Sequence, residues 1–313
     1  MNLGLATSGD RVVTAGLLTL LESTNGGQSY HKPLQFGGNI SQSQYVAAGS
    51  NLLAAVGQDL FGTINGISVT TSTGAMQFSN ISVLSSPTRY AALPGASTWY
   101  VSAGSWPSDE VDTELRAVPS KRLSRHWGVM QKPEAGVRGA TGASVLPLWR
   151  RRVHEATNNG FVAQIAKTTD AGKTWTQVYN DPTGSFYFNQ ISCRDEQTCC
   201  AAGESDGGDN AGARILCSYD GGSTWEQNLM VPGAAESMFT IRFMTDSEVW
   251  AGGATLSDAL LGKFYRSIDA GKTWTMTQTL DGQYPNDFCG MDGTFYASAF
   301  NAFDTSSFLG LQE

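Results

Sequence analysis

Apolar residues along this chain fall in short alternating runs, separated by turns rich in Gly, Asn, Asp and Ser. Residues 3–7, 11–15, 17–21 and 29–34 form a first set of four runs, and 45–48, 52–56, 67–71 and 76–83 a second. A third set opens with 89–93 and 98–104, where Thr-Trp-Tyr-Val-Ser-Ala is strongly β-prone. The scheme then breaks and resumes at 161–168, 186–193, 199–203, 213–218 and 224–230, followed by 239–244, 248–252, 262–267 and 273–279. The tail offers 287–291, 294–299 and 307–311, three strands without a fourth. This pattern predicts an all-β chain built from four-stranded units.

A second periodicity is laid over the first. Ser218-Tyr-Asp-Gly-Gly-Ser-Thr-Trp225, Thr168-Thr-Asp-Ala-Gly-Lys-Thr-Trp175 and Ser267-Ile-Asp-Ala-Gly-Lys-Thr-Trp274 share the pattern Ser/Thr-x-Asp-x-Gly-x-Thr-Trp. Ser23-Thr-Asn-Gly-Gly-Gln-Ser-Tyr30 is a softened copy, and residues 71–78, ending at Phe78, a decayed one. The terminal aromatics are spaced by 48, 97, 50 and 49 residues, so one anchor is missing near position 126, where Trp127 stands. Four-stranded units at this period are the signature of a β-propeller. The gap coincides with residues 107–159, where alternation is lost. Between Arg116 and Arg152 there are nine Lys or Arg and one acidic residue, Glu134. Counting this segment as a divergent blade gives seven blades in a single domain spanning 1–313. Treating it as an insertion within the third blade gives six, with 89–104 as that blade's inner strands and 161–179 as its outer ones. A sequence artefact is a further reading of 107–159.

The repeated octapeptide resembles the Asp-box, or BNR repeat, of sialidases, sortilin-like receptors, some glucan-cleaving propellers and photosystem II stability/assembly factor-like propellers. Three copies match every defining position, and with the degenerate copies the resemblance covers the chain outside 107–159. It implies a hairpin between the third and fourth strands of a blade, on the outer rim. Asp170, Asp220 and Asp269 can then accept hydrogen bonds from backbone N–H groups of their own turn. Gly172, Gly222 and Gly271 permit a positive φ, and Trp175, Trp225 and Trp274 pack between sheets. These residues read as structural.

Composition narrows the function. Gly is frequent, at 36 residues, and charged residues are sparse, at 15%, as suits a turn-rich β protein. A net charge of −8 argues against general affinity for nucleic acid or anionic membrane. No run of 18 apolar residues exists to insert in a membrane, and the N-terminus lacks the basic region and apolar core of a signal peptide. Four of five cysteines fall within 25 residues. Cys193 and Cys199 could close a short hairpin disulfide, Cys200 points to the opposite face with Cys217 its nearest partner, and Cys289 is left over; reduced buried thiols are the other reading. The sequons at Asn39 and Asn80 join the cysteines in pointing to a secreted or lumenal, oxidising location.

Chemistry is harder to find. A sialidase needs an arginine triad, and the Arg-Ile-Pro segment usual before its first box is absent. Arg89 and Arg242 lie on predicted first strands, which line the channel of a propeller, and could grip an anion as a pair. A glycoside hydrolase needs two carboxylates about 5 Å or about 6.5–9.5 Å apart; the acidic runs 109–114 and 204–209 read as solvated loops, the second a weak calcium site through Asp206 and Asp209. His31, His126 and His154 are scattered. Trp99, Tyr100 and Trp106 form an aromatic group near the mouth of one blade. Arg150, Arg151 and Arg152 crown the basic segment and could dock an acidic partner. No catalytic residues, metal or cofactor are expected. The sequence therefore points to a non-catalytic binding or scaffold propeller for a protein or glycan, with an assembly-factor role as one version. A carbohydrate-active hydrolase using channel carboxylates, and a structural subunit of a larger extracellular assembly, are the alternatives.

Overall fold

The computed structural model describes residues 2–8, 10–16, 19–31, 42–49, 51–58, 64–70, 76–106, 160–257, 260–291, 294–301 and 307–311. These form six antiparallel sheets in which sequential strands are neighbours. The first contains β1 (Asn2–Ser8), β2 (Arg11–Gly16) and β3 (Thr19–Ser23), with a single further bridge between Glu22 and His31. The second contains β4 (Gln42–Gly49), β5 (Leu52–Gln58), β6 (Asn65–Thr70) and β7 (Met76–Asn80). The third contains β8 (Thr88–Ala92), β9 (Trp99–Ser105), β10 (Val162–Thr168) and β11 (Thr176–Asn180). The fourth contains β12 (Tyr187–Cys193), β13 (Cys199–Ser205), β14 (Gly212–Ser218) and β15 (Glu226–Pro232). The fifth contains β16 (Glu236–Phe243), β17 (Val249–Leu256), β18 (Leu260–Ser267) and β19 (Thr275–Asp281). The sixth has three strands, β20 (Gln283–Met291), β21 (Thr294–Asn301) and β22 (Ser307–Leu311). First strands stand side by side, β1 by β4, β4 by β8, β8 by β12, β12 by β16 and β16 by β20.

Residues 107–159, with Trp127 and the expected seventh blade, lie outside the described residues. The sheet that flanks them is complete: β9 and β10 pair directly, from Trp99 opposite Thr168 to Ser105 opposite Val162. The chain thus leaves after the second strand of this sheet and re-enters at its third, and residues 89–104 and 161–179 belong to one sheet.

Burial follows strand order. Every residue of β13 and β14 is buried, whereas β19 is exposed at all but one position. Second strands are rich in Ala and Gly because both their faces are covered. A Cβ on Gly252 would come within 2.4 Å of Pro285, so glycine there lets the sixth sheet close on the fifth. Large side chains fill the seams: Trp99 and Ile67 between the second and third sheets, Phe188 and Ile165 between the third and fourth, Met238 and Ile241 between the fourth and fifth, and Phe264 and Phe288 between the fifth and sixth. Each such burial contributes roughly 1.5–3 kcal/mol.

The repeated octapeptide forms one turn, built four times. Thr174 donates its backbone N–H to Asp170 Oδ1 at 2.9 Å and its hydroxyl to Oδ2 at 2.6 Å, while Gly172 N–H donates to Thr168 Oγ1 at 3.0 Å. Asp220 and Asp269 repeat this with Thr224 and Thr273. Asn25 accepts from Ser29 N–H in the softened copy. Two successive left-handed residues close each turn: Gly26–Gly27, Ala171–Gly172, Gly221–Gly222 and Ala270–Gly271. In the last three, the second glycine rests on the preceding sheet, against Ser79, against Val178, and against Cys200 and Cys217. Trp175 donates its indole N–H to Ser79 at 2.7 Å, and Trp225 and Trp274 pack into the corresponding seams. The tryptophans are half-buried rather than enclosed.

Cys193 is bonded to Cys199 and Cys200 to Cys217, each pair directly opposite in the ladder, and Cys289 is free. The second bond, across a separation of 17 residues, stabilises the sheet by about 3 kcal/mol in the chain-entropy account.

Three expectations follow from the turns. Gly271→Ala would set a Cβ 2.6 Å from Cys200 Sγ at a φ of +87°, at a cost of about 2–4 kcal/mol. Its neighbour Ala270 already bears left-handed strain at φ 61°. Ala270→Gly should gain about 0.5 kcal/mol, because the relief exceeds the added freedom of the unfolded chain. Chemical denaturation would contradict this if Ala270→Gly destabilises or Gly271→Ala is neutral. The hydrogen bonds from Thr174 hold Asp170 down to about 2, and those from Thr224 do the same for Asp220. A carboxylate depressed from an unfolded value near 4 contributes stability that is complete above about pH 4 and lost as pH falls toward about 2. Stability measured over that window should fall less steeply in Asp220→Asn; an unchanged slope would contradict the assignment.

Candidate functional site

The first strands share a feature that the sequence did not announce. Each carries a bulge near its start, with register shifts at Asn2/Gly4, Ser43/Tyr45, Thr88/Tyr90, Phe188/Gln190, Met238/Thr240 and Pro285/Asp287. A bulge inserts one residue and re-aims its side chain. Three of these residues reach to the next sheet. The Arg89 guanidinium lies over the Tyr187 ring, 5.5 Å from its centroid. Asn189 donates to the Met238 carbonyl at 2.8 Å. The Phe239 ring lies 4.7 Å from that of Tyr284.

Further along the same strands a polar bridge crosses between sheets. Arg242 Nη2, on β16, donates to Tyr90 Oη of β8 at 3.3 Å and to Asp287 Oδ1 of β20 at 3.3 Å. The Asp287 charge raises the Arg242 guanidinium above its ordinary value, against the opposing effect of burial. A fixed cation here is matched by a fixed anion. Burial pushes the Cys289 thiol up, although Arg242 draws it down. On the side where the first strands end lies a cavity of about 290 Å³ lined by β4, β8, β12 and β16, including Tyr90, Gln190, Cys193, Arg194 and Arg242. Gln190 and Ser192 accept the backbone N–H groups of Ile241 and Phe243 at 2.7 and 3.0 Å and so tie its walls together.

On the other side, where the first strands begin, stands a buried carboxylate. Glu204, next to last in β13, accepts from Tyr187 Oη and from Met238 N–H, the latter at 2.9 Å. Burial raises its carboxyl above the usual range despite those donors, and burial together with Glu204 raises the Tyr187 phenol. Glu204 is therefore a strand residue pinned between two sheets, and not part of a solvated acidic loop. Beside it Trp106 is 39% exposed, its ring 5.3 Å from Tyr187 and 6.5 Å from Phe161, while Phe161 and Tyr187 stack at 5.9 Å. Trp106 and Gly160 are the described residues that bound the 107–159 segment.

The expected site residues are distributed accordingly. Arg89 and Arg242 both lie on first strands, but they take different partners: Arg89 Nε donates to the Gly104 carbonyl at 3.0 Å, and Arg242 serves the bridge. Trp99 and Tyr100 are buried in seams on opposite faces of their sheet, because successive strand residues alternate. Trp106 alone of the expected aromatic group is exposed, and Phe161 and Tyr187 join it instead. Arg150, Arg151, Arg152, His126, His154 and Asn39 lie outside the described residues; Asn80 is exposed at the end of β7, and His31 lies 3.7 Å from Glu22. Among the described residues no helix is long and apolar enough to cross a membrane, and no three His, Cys, Asp or Glu side chains gather as a metal site.

Four-stranded antiparallel sheets set side by side by their first strands define an all-β propeller, and solved structures agree. Virginiamycin B lyase from Staphylococcus aureus is similar at 11% identity and a TM-score of 0.57, over 100% of this chain and 85% of its own. YCF48 bound to D1 peptide is similar at 11% identity and a TM-score of 0.50, over 96% and 75%, and YjhT at 12% and 0.50, over 97% and 91%. These likenesses carry the fold. No protein-family model matches the sequence, and no curated protein matches it.

Glu204 supplies a test of the site's rigidity. A carboxyl raised by burial favours folding below the unfolded value near 4, and that contribution is lost as pH rises through the folded value. Glu204→Gln keeps an acceptor for Met238 N–H and a partner for Tyr187 without the charge. The variant should match the wild type near pH 4 and become more stable than it at pH 8. Equal stability at both values would contradict a desolvated Glu204.

Proposed function

We propose that this chain is a non-catalytic binding propeller of an oxidising, extracytosolic compartment, secreted or lumenal, that docks a protein partner on the face bearing Trp106. The observation that supports this reading most is the contrast between the charged groups of the first and second strands, which are committed to partners, and the exposed Trp106 beside them. The bridge commits Arg242 and Asp287 to each other, and Glu204 is committed to Tyr187 and Met238. Carboxylates engaged in this way are poorly suited to the acid–base pair of a hydrolase. By contrast, Trp106 offers an exposed ring beside that of Tyr187, which in turn stacks on Phe161 and lies under the Arg89 guanidinium. Trp, Tyr and Arg are the residues that dominate protein interfaces. They stand at the root of the basic segment ending in Arg150, Arg151 and Arg152, which would add complementarity to an acidic partner.

The repeated turns are read as Asp-boxes of the BNR kind with a structural role. An assembly-factor role fits the same face, and the structure of YCF48 bound to D1 peptide, a protein similar only in fold, makes a peptide or protein a reasonable partner class. A glycan could stack on Trp106 and is the competing ligand. A second reading, a structural subunit of a larger assembly, rests on the three-stranded sixth sheet, where β22 has one strand partner among the described residues.

Affinity capture from the organism of origin tests the proposal. The wild-type chain should retain a protein that Trp106→Ala and the triple variant Arg150→Ala/Arg151→Ala/Arg152→Ala retain at least about tenfold less, the effect of roughly 1.4 kcal/mol in binding. Unchanged retention by both variants would reject this face, and release by free oligosaccharide would reassign it to glycans.

A further inference from the structure

The two disulfides differ in access, and that difference assigns one of them a chemistry. Cys200 and Cys217 are fully buried, and Gly271 of the next sheet's turn covers them, its carbonyl oxygen 3.6 Å from Cys217 Sγ. Cys193 is half-buried and lines the cavity below the polar bridge, while its partner Cys199 is 1% exposed. Thiol–disulfide exchange requires a thiolate to reach one sulfur and the other to leave. Access therefore favours attack at Cys193 over the three buried sulfurs. Arg194 and Arg242 line the same cavity. Arg194 is paired through Nε with Asp195 at 2.7 Å, and Arg242 with Asp287. Each cation is thus matched by a carboxylate, and access rather than charge distinguishes Cys193.

We propose that Cys193–Cys199 is a thiol-exchange site, at which a small thiol of the cysteine or glutathione class enters the cavity and becomes attached to Cys193 while Cys200–Cys217 stays closed. The incoming thiolate's electron pair forms the new bond to Cys193 Sγ. The Cys193–Cys199 bond breaks, its electrons leave on Cys199 Sγ, and Cys199 takes a proton from water. No net oxidation or reduction occurs in this step. A second thiolate attacking the attached sulfur releases the disulfide of the small thiol, which carries away the oxidising equivalents and leaves Cys193 and Cys199 reduced.

The fold can tolerate this. Cys193 opposite Cys199 is the last rung of the β12–β13 ladder, and the rungs from Tyr187–Glu204 to Ser192–Cys200 do not depend on it. Opening leaves the 194–198 hairpin held by Asp195 Oδ1, which accepts the N–H groups of Gln197 and Thr198 at 2.7 Å each, and by the Arg194 N–H to Thr198 carbonyl bond at 3.0 Å, and leaves the core bond beneath Gly271 intact. The inference is independent of which partner the opposite face takes.

The experiment uses the full chain with Cys289→Ser, which removes the one free thiol among the described cysteines. Native protein is incubated with reduced glutathione, quenched with acid, alkylated and mapped by peptide mass spectrometry. Glutathione should be found on Cys193, the alkyl group on Cys199, and Cys200–Cys217 intact, with the first bond opening at least about tenfold faster than the second. Near-UV circular dichroism recorded in parallel should stay native. The proposal is overturned if Cys200–Cys217 opens first or equally fast, if the adduct sits on Cys199, or if neither bond opens until denaturant unfolds the chain. The further variant Cys193→Ala/Cys199→Ala should abolish the adduct and keep the native spectrum; an adduct of equal yield elsewhere would also overturn it.

Discussion

The structure depends on one local arrangement, a carboxylate that closes its own turn. In each full repeat an Asp accepts both the backbone N–H and the hydroxyl of the Thr four residues on. This fixes two successive left-handed residues and presents a glycine flat against the preceding sheet. The adjacent Trp fills the seam. Neighbouring sheets are thereby locked by contacts that are local in sequence on one side and distant on the other. A single repeat unit cannot bury its apolar faces alone, so this lock makes an array from units that would not persist by themselves.

How much of this was legible in the sequence can be argued from particular residues. The turns were visible because their chemistry is unforgiving: Asp for its two acceptors, Gly for its φ, Thr for its paired donors. The strands were visible because burial on alternate faces imposes alternation. The bulges were not, since they fall on Leu3, Gln44, Arg89, Asn189, Phe239 and Asn286, with no glycine to mark them. The bridge was not, because Arg242 lies 152 residues from Tyr90 and 45 from Asp287. Arg89 and Arg242 were correctly placed on first strands but not given their partners, which come from other sheets. Trp99, Tyr100 and Trp106 looked like one group only because proximity in sequence was taken for proximity in space. A strand sends adjacent side chains to opposite faces.

The proposed function falls where the repeat stops constraining the chain. On one side of the bridge the first strands end in a cavity lined by Cys193, the more exposed half of its disulfide. On the other they begin among Arg89, Tyr187, Glu204 and Trp106, with the buried Glu204 holding Tyr187 in place and Tyr187 supporting both the guanidinium and the indole. Rigid aromatic anchors on a stiff scaffold lose little conformational entropy on association, which suits a surface for recognition more than one for chemistry.

The central claim, that the partner-binding face is the one bearing Trp106, is tested most directly by hydrogen exchange on the chain with its captured partner bound. The account predicts slowed exchange at residues 88–90, 104–106 and 186–189. Protection confined to residues 47–49, 92–94 and 191–194, with the Trp106 side unchanged, would contradict it.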